Sequence, residues 1–333
     1  MRPSARAHWK PILTLLLITP FLTELLSGNI PPSKFFNPLG FLLLATIGYG
    51  FPVLLLREIA CRNRMGVPGM ICLGLFYGII NEGILAKTFY LAQGVPINLF
   101  DGYGYVAGIC IPWAIFISVW HAFHAFLYPV LITYYFFPAH REEPWLSRKG
   151  ALWLAVPTVL ILTLNFFGHN KARGPGQVPH YVLMLLAMGL LAWVATRISR
   201  PATLNDEKPF RLKPALMGVL GFLTLFLAPL LLCRAKVPAL VFCGYYILAL
   251  ALVFRWLLKQ SALPVMTCLL FSIGDNAVFV LVGVLIAAHR GSVELMASNA
   301  LFVVAFAFLL VRLRKDARLC PAPVRVNDPP LVS

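Results

Sequence analysis

Four places in this 333-residue chain put ionisable or amide side chains inside strongly apolar runs: Glu24, Asn81-Glu82, His121 with His124, and Asp275-Asn276. A charge at the centre of a bilayer costs about 2.5–3.5 kcal/mol on insertion scales, so such residues face a protein interior and mark a function by default. Glu82 has the best-defined direction. Gly74, Gly78 and Glu82 are spaced by four and share one helix face. The two glycines invite a close helix neighbour, so Glu82 is expected in a helix–helix contact and away from lipid. His121 and His124 are three apart and face one side of their helix. Two imidazoles so placed can bind a metal, or one can act as a base that the other orients.

Together these residues suit acid–base chemistry on water. Glu82 is the expected base, His121 and His124 would position or polarise the water, and Asp275 would orient a histidine. Counted along their runs, all four lie between the midplane and the outer third of the membrane. Glu24, four residues after Pro20, is placed near the outer interface. Lys87 is expected to snorkel to headgroups. A purely structural role predicts instead that these polar side chains lie far apart. No cofactor is specified, although a divalent metal is compatible with the histidine pair.

The elements that must position them are transmembrane helices. Apolar residues make up 60% of the chain and charged residues 12%. Ordinary soluble domains carry about 25% charged residues, and this much apolar surface cannot be hidden in one water-facing fold. A bilayer core needs about 20 apolar residues as a helix. Ten runs qualify: 11–27, 38–56, 68–90, 105–137, 150–168, 180–196, 214–232, 238–258, 264–288 and 293–311. The expected fold is all-α, a polytopic transmembrane bundle of about ten spans forming one domain over 1–311. A basic, proline-containing cytoplasmic tail over 312–333 is expected to be disordered. Its basic stretch would lie against anionic headgroups.

The net charge of +16 supports the same layout. With ten spans and a cytoplasmic N-terminus, seven basic residues face outward: Lys34, Lys87, Lys171, Arg173, Arg234, Lys236 and Arg290. The other 21 of the 28 Lys and Arg, among them Arg57, Arg62, Arg64, Arg141 and Arg148, fall inside. Such a bias places both termini in the cytoplasm. The basic excess therefore speaks for a bilayer partner and not for nucleic acid. The N-terminus lacks a cleavage site and reads as a retained first span. Seven cysteines form no C-x-x-C pair and read as inert apolar residues. The run 105–137 is too long for one crossing, so it must tilt, break or lie partly outside, with Pro129 as a kink.

The stretch Tyr77-Gly78-Ile79-Ile80-Asn81-Glu82-Gly83, followed by Trp120-His121-Ala122-Phe123-His124, resembles uncharacterised bacterial multi-span proteins. More remotely it resembles the CAAX-protease and bacteriocin-processing family of intramembrane proteases. That family carries Glu-Glu-x-x-x-Arg, Phe-x-x-x-His and His-x-x-x-Asn or Asp on successive spans. Here Asn81-Glu82 stands for the paired glutamates, Trp120-x-x-x-His124 for the second motif, and Asp275 or Asn276 near the third. Lys87 lies one position beyond the motif's Arg. The resemblance implies a multi-pass protein of the bacterial cytoplasmic membrane that hydrolyses membrane or lipidated peptides, or an inactive derivative. A proton-coupled small-molecule transporter is the alternative, and a non-catalytic membrane protein the third. The oligomeric state is left open.

Overall fold

A computed structural model describes residues 8–26, 30–37, 45–90, 100, 102–168, 177–198, 213–259 and 265–319. The described chain is almost wholly helical. Its elements are α1 (residues 9–25), α2 (Pro32–Phe36), α3 (residues 46–62), α4 (Val67–Leu85), a hairpin of β1 (Tyr105–Val106) and β2 (Ile109–Cys110), α5 (Ile111–Phe136), α6 (Arg148–Phe167), α7 (Val178–Ile198), α8 (Lys213–Arg234), α9 (Ala239–Lys259), α10 (Val265–His289) and α11 (Val293–Leu319). Seven of these are long and apolar enough to cross a membrane: α4, α5, α6, α7, α8, α10 and α11. α1, α3 and α9 occupy the remaining three of the ten expected apolar runs.

Local chemistry sets the starts. Pro68 and Pro112 occupy the first turns of α4 and α5, where a missing N–H leaves no bond unmade. Ser147 caps α6, its Oγ accepting from Gly150 N at 2.9 Å. The overlong run 105–137 resolves as the sequence allowed. Its first residues form the hairpin, with Tyr105 paired to Cys110 and Val106 to Ile109. Ala107 and Gly108 make the turn, both at positive φ. The remainder is α5.

The apolar windows of α4 and α5 are each 83% buried, against 11% for α6 and α7. The centre of the bundle is therefore the α4–α5 pair. It meets through the predicted small-residue stripe. A Cβ on Gly74 would come within 2.6 Å of Ala122 Cα, and one on Gly78 within 2.5 Å of Ser118 Cα. A second close crossing joins α8 to α10. There a Cβ on Gly218 would strike the Phe271 carbonyl, and one on Gly274 the Ala215 carbonyl. Small residues let backbones pack this tightly, and such contact replaces the hydrophobic drive that lipid removes.

Side-chain ties collect at two ends. At one, Arg62 Nη2 donates to Leu146 O at 2.5 Å, and the Tyr135 hydroxyl donates to Asp316. At the other, Glu294 accepts from Ser33 N at 3.0 Å, His180 meets Ala107 O at 2.8 Å, and Tyr103 donates to Val237 O at 2.5 Å.

Three features depart from the sequence expectation. Arg57, assigned to the hydrated basic collar, is fully buried. Its guanidinium pairs with buried Glu58 at 2.7 Å, donates to the carbonyls of His140 and Arg141 at 3.0 Å, and stacks 3.7 Å from the Trp145 ring centroid. Glu58 also accepts from Arg62 and from Trp145 N. Neighbouring residues satisfy every group, which is what permits a charge to be buried. Lys87 does not snorkel. It is 1% exposed and donates to Phe166 O at 2.9 Å and to Gly168 O at 3.4 Å, at the carbonyl end of α6. Finally, α11 continues to Leu319, so the first residues of the expected tail, 312–319, are helical. Residues 320–333 lie outside the described residues.

Candidate functional site

Asn81, Glu82, His121, His124, Asp275 and Asn276 are all buried. The structure joins the four predicted site residues into two carboxylate–imidazole pairs. His121 Nε2 lies 3.5 Å from Glu82 Oε1, and His124 Nε2 lies 3.0 Å from Asp275 Oδ2. The Gly-x-x-x-Gly stripe builds the first pair: as Gly74 and Gly78 press against Ala122 and Ser118, the next position on that face, Glu82, arrives at His121. α10, packed along the second half of α5, carries Asp275 to His124. The separation expected of a structural role is not what is seen.

Each imidazole is oriented by its own helix. His121 Nδ1 is 2.9 Å from Ile117 O, and His124 Nδ1 is 3.2 Å from Trp120 O. A backbone carbonyl only accepts, so each Nδ1 carries the hydrogen. That leaves each Nε2 beside a carboxylate, 3.5 Å from Glu82 Oε1 and 3.0 Å from Asp275 Oδ2, with no hydrogen bond closed across either gap, and sets a base next to an acid. This lowers the cost of burying either member.

The two pairs have different surroundings. Asp275 and His124 are 1% exposed at the side chain, whereas the Glu82 side chain is 11% exposed. His124 is enclosed by aromatic rings. Trp120 stacks on it at 5.1 Å, and Phe226, Phe279 and Tyr128 stand 5.1–5.3 Å away. The Tyr128 hydroxyl is close to Asp275. Asn276 turns back to its own helix and donates to Ser272 O at 2.8 Å. Of the two residues that could stand near the third motif, Asp275 is the one that meets a histidine.

The Glu82–His121 pair belongs to a longer polar line. Thr88 donates to Glu82 Oε2, and Trp113 Nε1 donates to Thr88 at 3.0 Å. On the other side the Tyr49 ring lies parallel to His121 at 6.3 Å, and its hydroxyl donates to Glu24. Tyr77 packs edge-on to His121 and accepts from Asn81 Nδ2 at 3.2 Å. Glu24, expected near the outer interface, is thus 5% exposed and one side chain away from the site. Tyr49, Thr88 and Trp113 were not singled out in the sequence, and Tyr77 entered only as the first residue of the stretch 77–83. For Tyr49 the available signal was its Gly48-Tyr49-Gly50 setting, two small residues flanking one aromatic residue in an apolar run.

Glu24, Tyr49, Glu82, His121 and His124 all sit on π-helical segments: 21–25, 46–50, 79–85 and 121–127. A fifth, 223–227, supplies Phe226. The i→i−5 bonds are visible at their ends, as from Ala86 N to Asn81 O and from Leu26 N to Phe21 O. π-segments are rare, and they occur disproportionately at functional sites.

Each membrane pair presents two metal-ligand donors. Among the described residues, the three-donor group of His, Cys, Asp or Glu atoms within 4.8 Å of one another lies elsewhere, at His8, His140 and Glu143.

These features define a multi-span helical membrane protein with carboxylate–histidine pairs inside its bundle. Residues 13–318 match the family described as an uncharacterized membrane protein family, and the chain belongs to it. No match was found among curated proteins or among solved structures. The resemblance to the CAAX-protease family rests on the motifs alone.

Proposed function

We propose that the chain is an intramembrane hydrolase of the peptidase type, with Glu82 and His121 as the acid–base pair. The observation that carries this reading is the fixed imidazole. With Nδ1–H held by Ile117 O, Nε2 has no hydrogen-bond partner of its own and stands 3.5 Å from Glu82 Oε1, so base and acid are side by side with the imidazole lone pair open. In the proposed reaction the pair takes a proton from water as its oxygen bonds to a substrate carbonyl carbon. It then returns that proton to the leaving nitrogen as the carbon–nitrogen bond breaks. Thr88 holds the second carboxylate oxygen. His124, oriented by Asp275, lies one helical turn further along α5 and acts as a positioning residue. The substrate class that fits a site inside a lipid-embedded bundle is a membrane or lipidated peptide. The reading also places the protein in a bacterial cytoplasmic membrane.

The test is turnover of fluorogenic membrane and lipidated peptides by purified protein in detergent or vesicles. Glu82→Gln and His121→Ala should each lower kcat by at least about 10²-fold, the usual weight of general acid–base catalysis. Turnover unchanged in both variants overturns the assignment. Proton-coupled transport is the second reading, favoured by two buried carboxylate–imidazole pairs inside the bundle. Its signature is vesicle acidification that Glu82→Gln abolishes, with no peptide cleaved by the wild type.

A further inference from the structure

Outside the membrane pairs, the start of α1 and the loop after α5 bring together two histidines and a carboxylate. We propose that His8, His140 and Glu143 form a binding site for a divalent transition-metal ion of the zinc class. One donor atom from each residue lies within 4.8 Å of the other two. Glu143 Oε2 is 3.5 Å from His140 Nδ1 and 3.9 Å from His8 Nε2. The two imidazole rings stand edge to face, 4.9 Å between centroids.

Zinc bonds imidazole nitrogen and carboxylate oxygen at about 2.0–2.2 Å, so tetrahedral ligand atoms sit roughly 3.3 Å apart. The pair at 3.5 Å is already at that spacing, and side-chain rotation closes the others. Two histidines and a carboxylate are a recognised three-ligand zinc set that leaves a further position for water or another ligand. In addition, His8 Nδ1 is buried and has no hydrogen-bond partner.

The donors rest on a built support. The His140 carbonyl accepts from buried Arg57 at 3.0 Å and from Trp145 Nε1 at 2.8 Å. The Arg141 carbonyl accepts from the same guanidinium. Arg141 Nε donates to Tyr134 O at 2.7 Å, fixing the loop to the end of α5. His8 is anchored as the residue whose carbonyl takes the first bond of α1, from Ile12 N at 3.1 Å. The buried Arg57–Glu58 unit thus holds His140 in place, and a bound ion would clasp the start of α1 to the end of α5. An exposed ion pair alone would contribute little, and it would not select for transition metals.

The experiment uses full-length protein without a histidine tag, stripped with chelator, in detergent. Zn²⁺ alone is titrated against a chromophoric competitor, and Co²⁺ is added separately for its visible absorption bands. The expected result is one saturable equivalent of Zn²⁺ and a raised Tm. His8→Ala, His140→Ala and Glu143→Gln should each weaken binding by more than about tenfold, the least that loss of a mere outer-shell partner costs. His180→Ala, at the opposite end, should bind as wild type does. All three donor side chains are partly exposed, so these variants should elute as the wild type does. Absence of saturable binding in the wild type, or undiminished binding in the three variants, overturns the proposal.

Discussion

At the scale of single residues, the two pairs should respond differently to substitution. Asp275 and His124 are sealed among rings, so removing either leaves its partner buried and uncompensated. Asp275→Asn or His124→Ala should therefore cost about 3–5 kcal/mol. Replacing both, as His124→Phe with Asp275→Leu, should recover most of that loss. Thermal unfolding in detergent measures it, and strictly additive losses in the double variant would show that the two residues are not coupled. Glu82 is less enclosed, and Thr88 supports it. Glu82→Gln should spare stability more than Asp275→Asn does. The sequence displayed Glu82, His121, His124 and Asp275 because a charge in an apolar run is conspicuous. It hid Arg57 and Glu58 because charges at a span end look hydrated. Only the arrival of Tyr134, His140 and Trp145 from a distant segment takes them out of water. Lys87 was hidden for the same reason: its acceptors, Phe166 O and Gly168 O, belong to another helix.

At the scale of elements, the close crossing was legible and the widened turns were not. Gly74, Gly78 and Glu82 repeat with the period of a helix face, so periodicity alone places them together. π-segments have no such period. They do have a local cause that can be read afterwards. Three of the five end two residues before a proline: Gly50 before Pro52, Leu127 before Pro129, and Leu227 before Pro229. Proline lacks the N–H for the preceding turn and its ring crowds the carbonyl four residues back, so the turn widens. The anticipated irregularity at Pro129 is thus a π-turn that carries both site histidines. At Pro229 the carbonyl four residues back is Leu225 O, and the Tyr246 hydroxyl of α9 donates to it at 2.6 Å. Tyr246→Phe should cost about 0.6–1.7 kcal/mol, the range for hydrogen bonds between membrane helices. In a Pro229→Ala background the restored N–H can serve Leu225 O, and the same substitution should then cost much less. A double-mutant cycle on thermal stability checks the coupling. Equal losses in both backgrounds would mean that the proline does not create the need for Tyr246.

At the scale of the whole molecule, composition fixed the solvent of the protein before any element was placed. Sixty per cent apolar residues and +16 net charge describe a bilayer protein with a basic face. The contacts at the two ends bear on how the chain threads. The start of α1 meets the end of α5 through His8 and His140, and the end of α11 meets α5 through Asp316 and Tyr135. Both ends of the described chain therefore lie at one end of the bundle. The opposite end gathers Ser33, Lys87, Tyr103, Phe166, His180, Val237 and Glu294. Beside those residues in the chain stand Lys34, Arg234, Lys236 and Arg290, which charge counting assigned to the outside along with Lys87, whereas the end that carries Arg62, Arg148 and Arg312 is the basic one. Because Lys and Arg are retained on the cytoplasmic side, we propose that the basic end is the cytoplasmic one. The proposed threading is accordingly ten crossings, the seven long apolar helices plus α1, α3 and α9, with both termini cytoplasmic. It predicts that reporter fusions after residues 64, 149 and 319 are active only as cytoplasmic reporters, and that fusions after residues 87, 168 and 290 are active only outside. Single cysteines labelled with an impermeant maleimide at the same positions give an independent readout. One span fewer would invert every result beyond the miscounted helix, so a single inversion along the series would locate the error as well as reject the count.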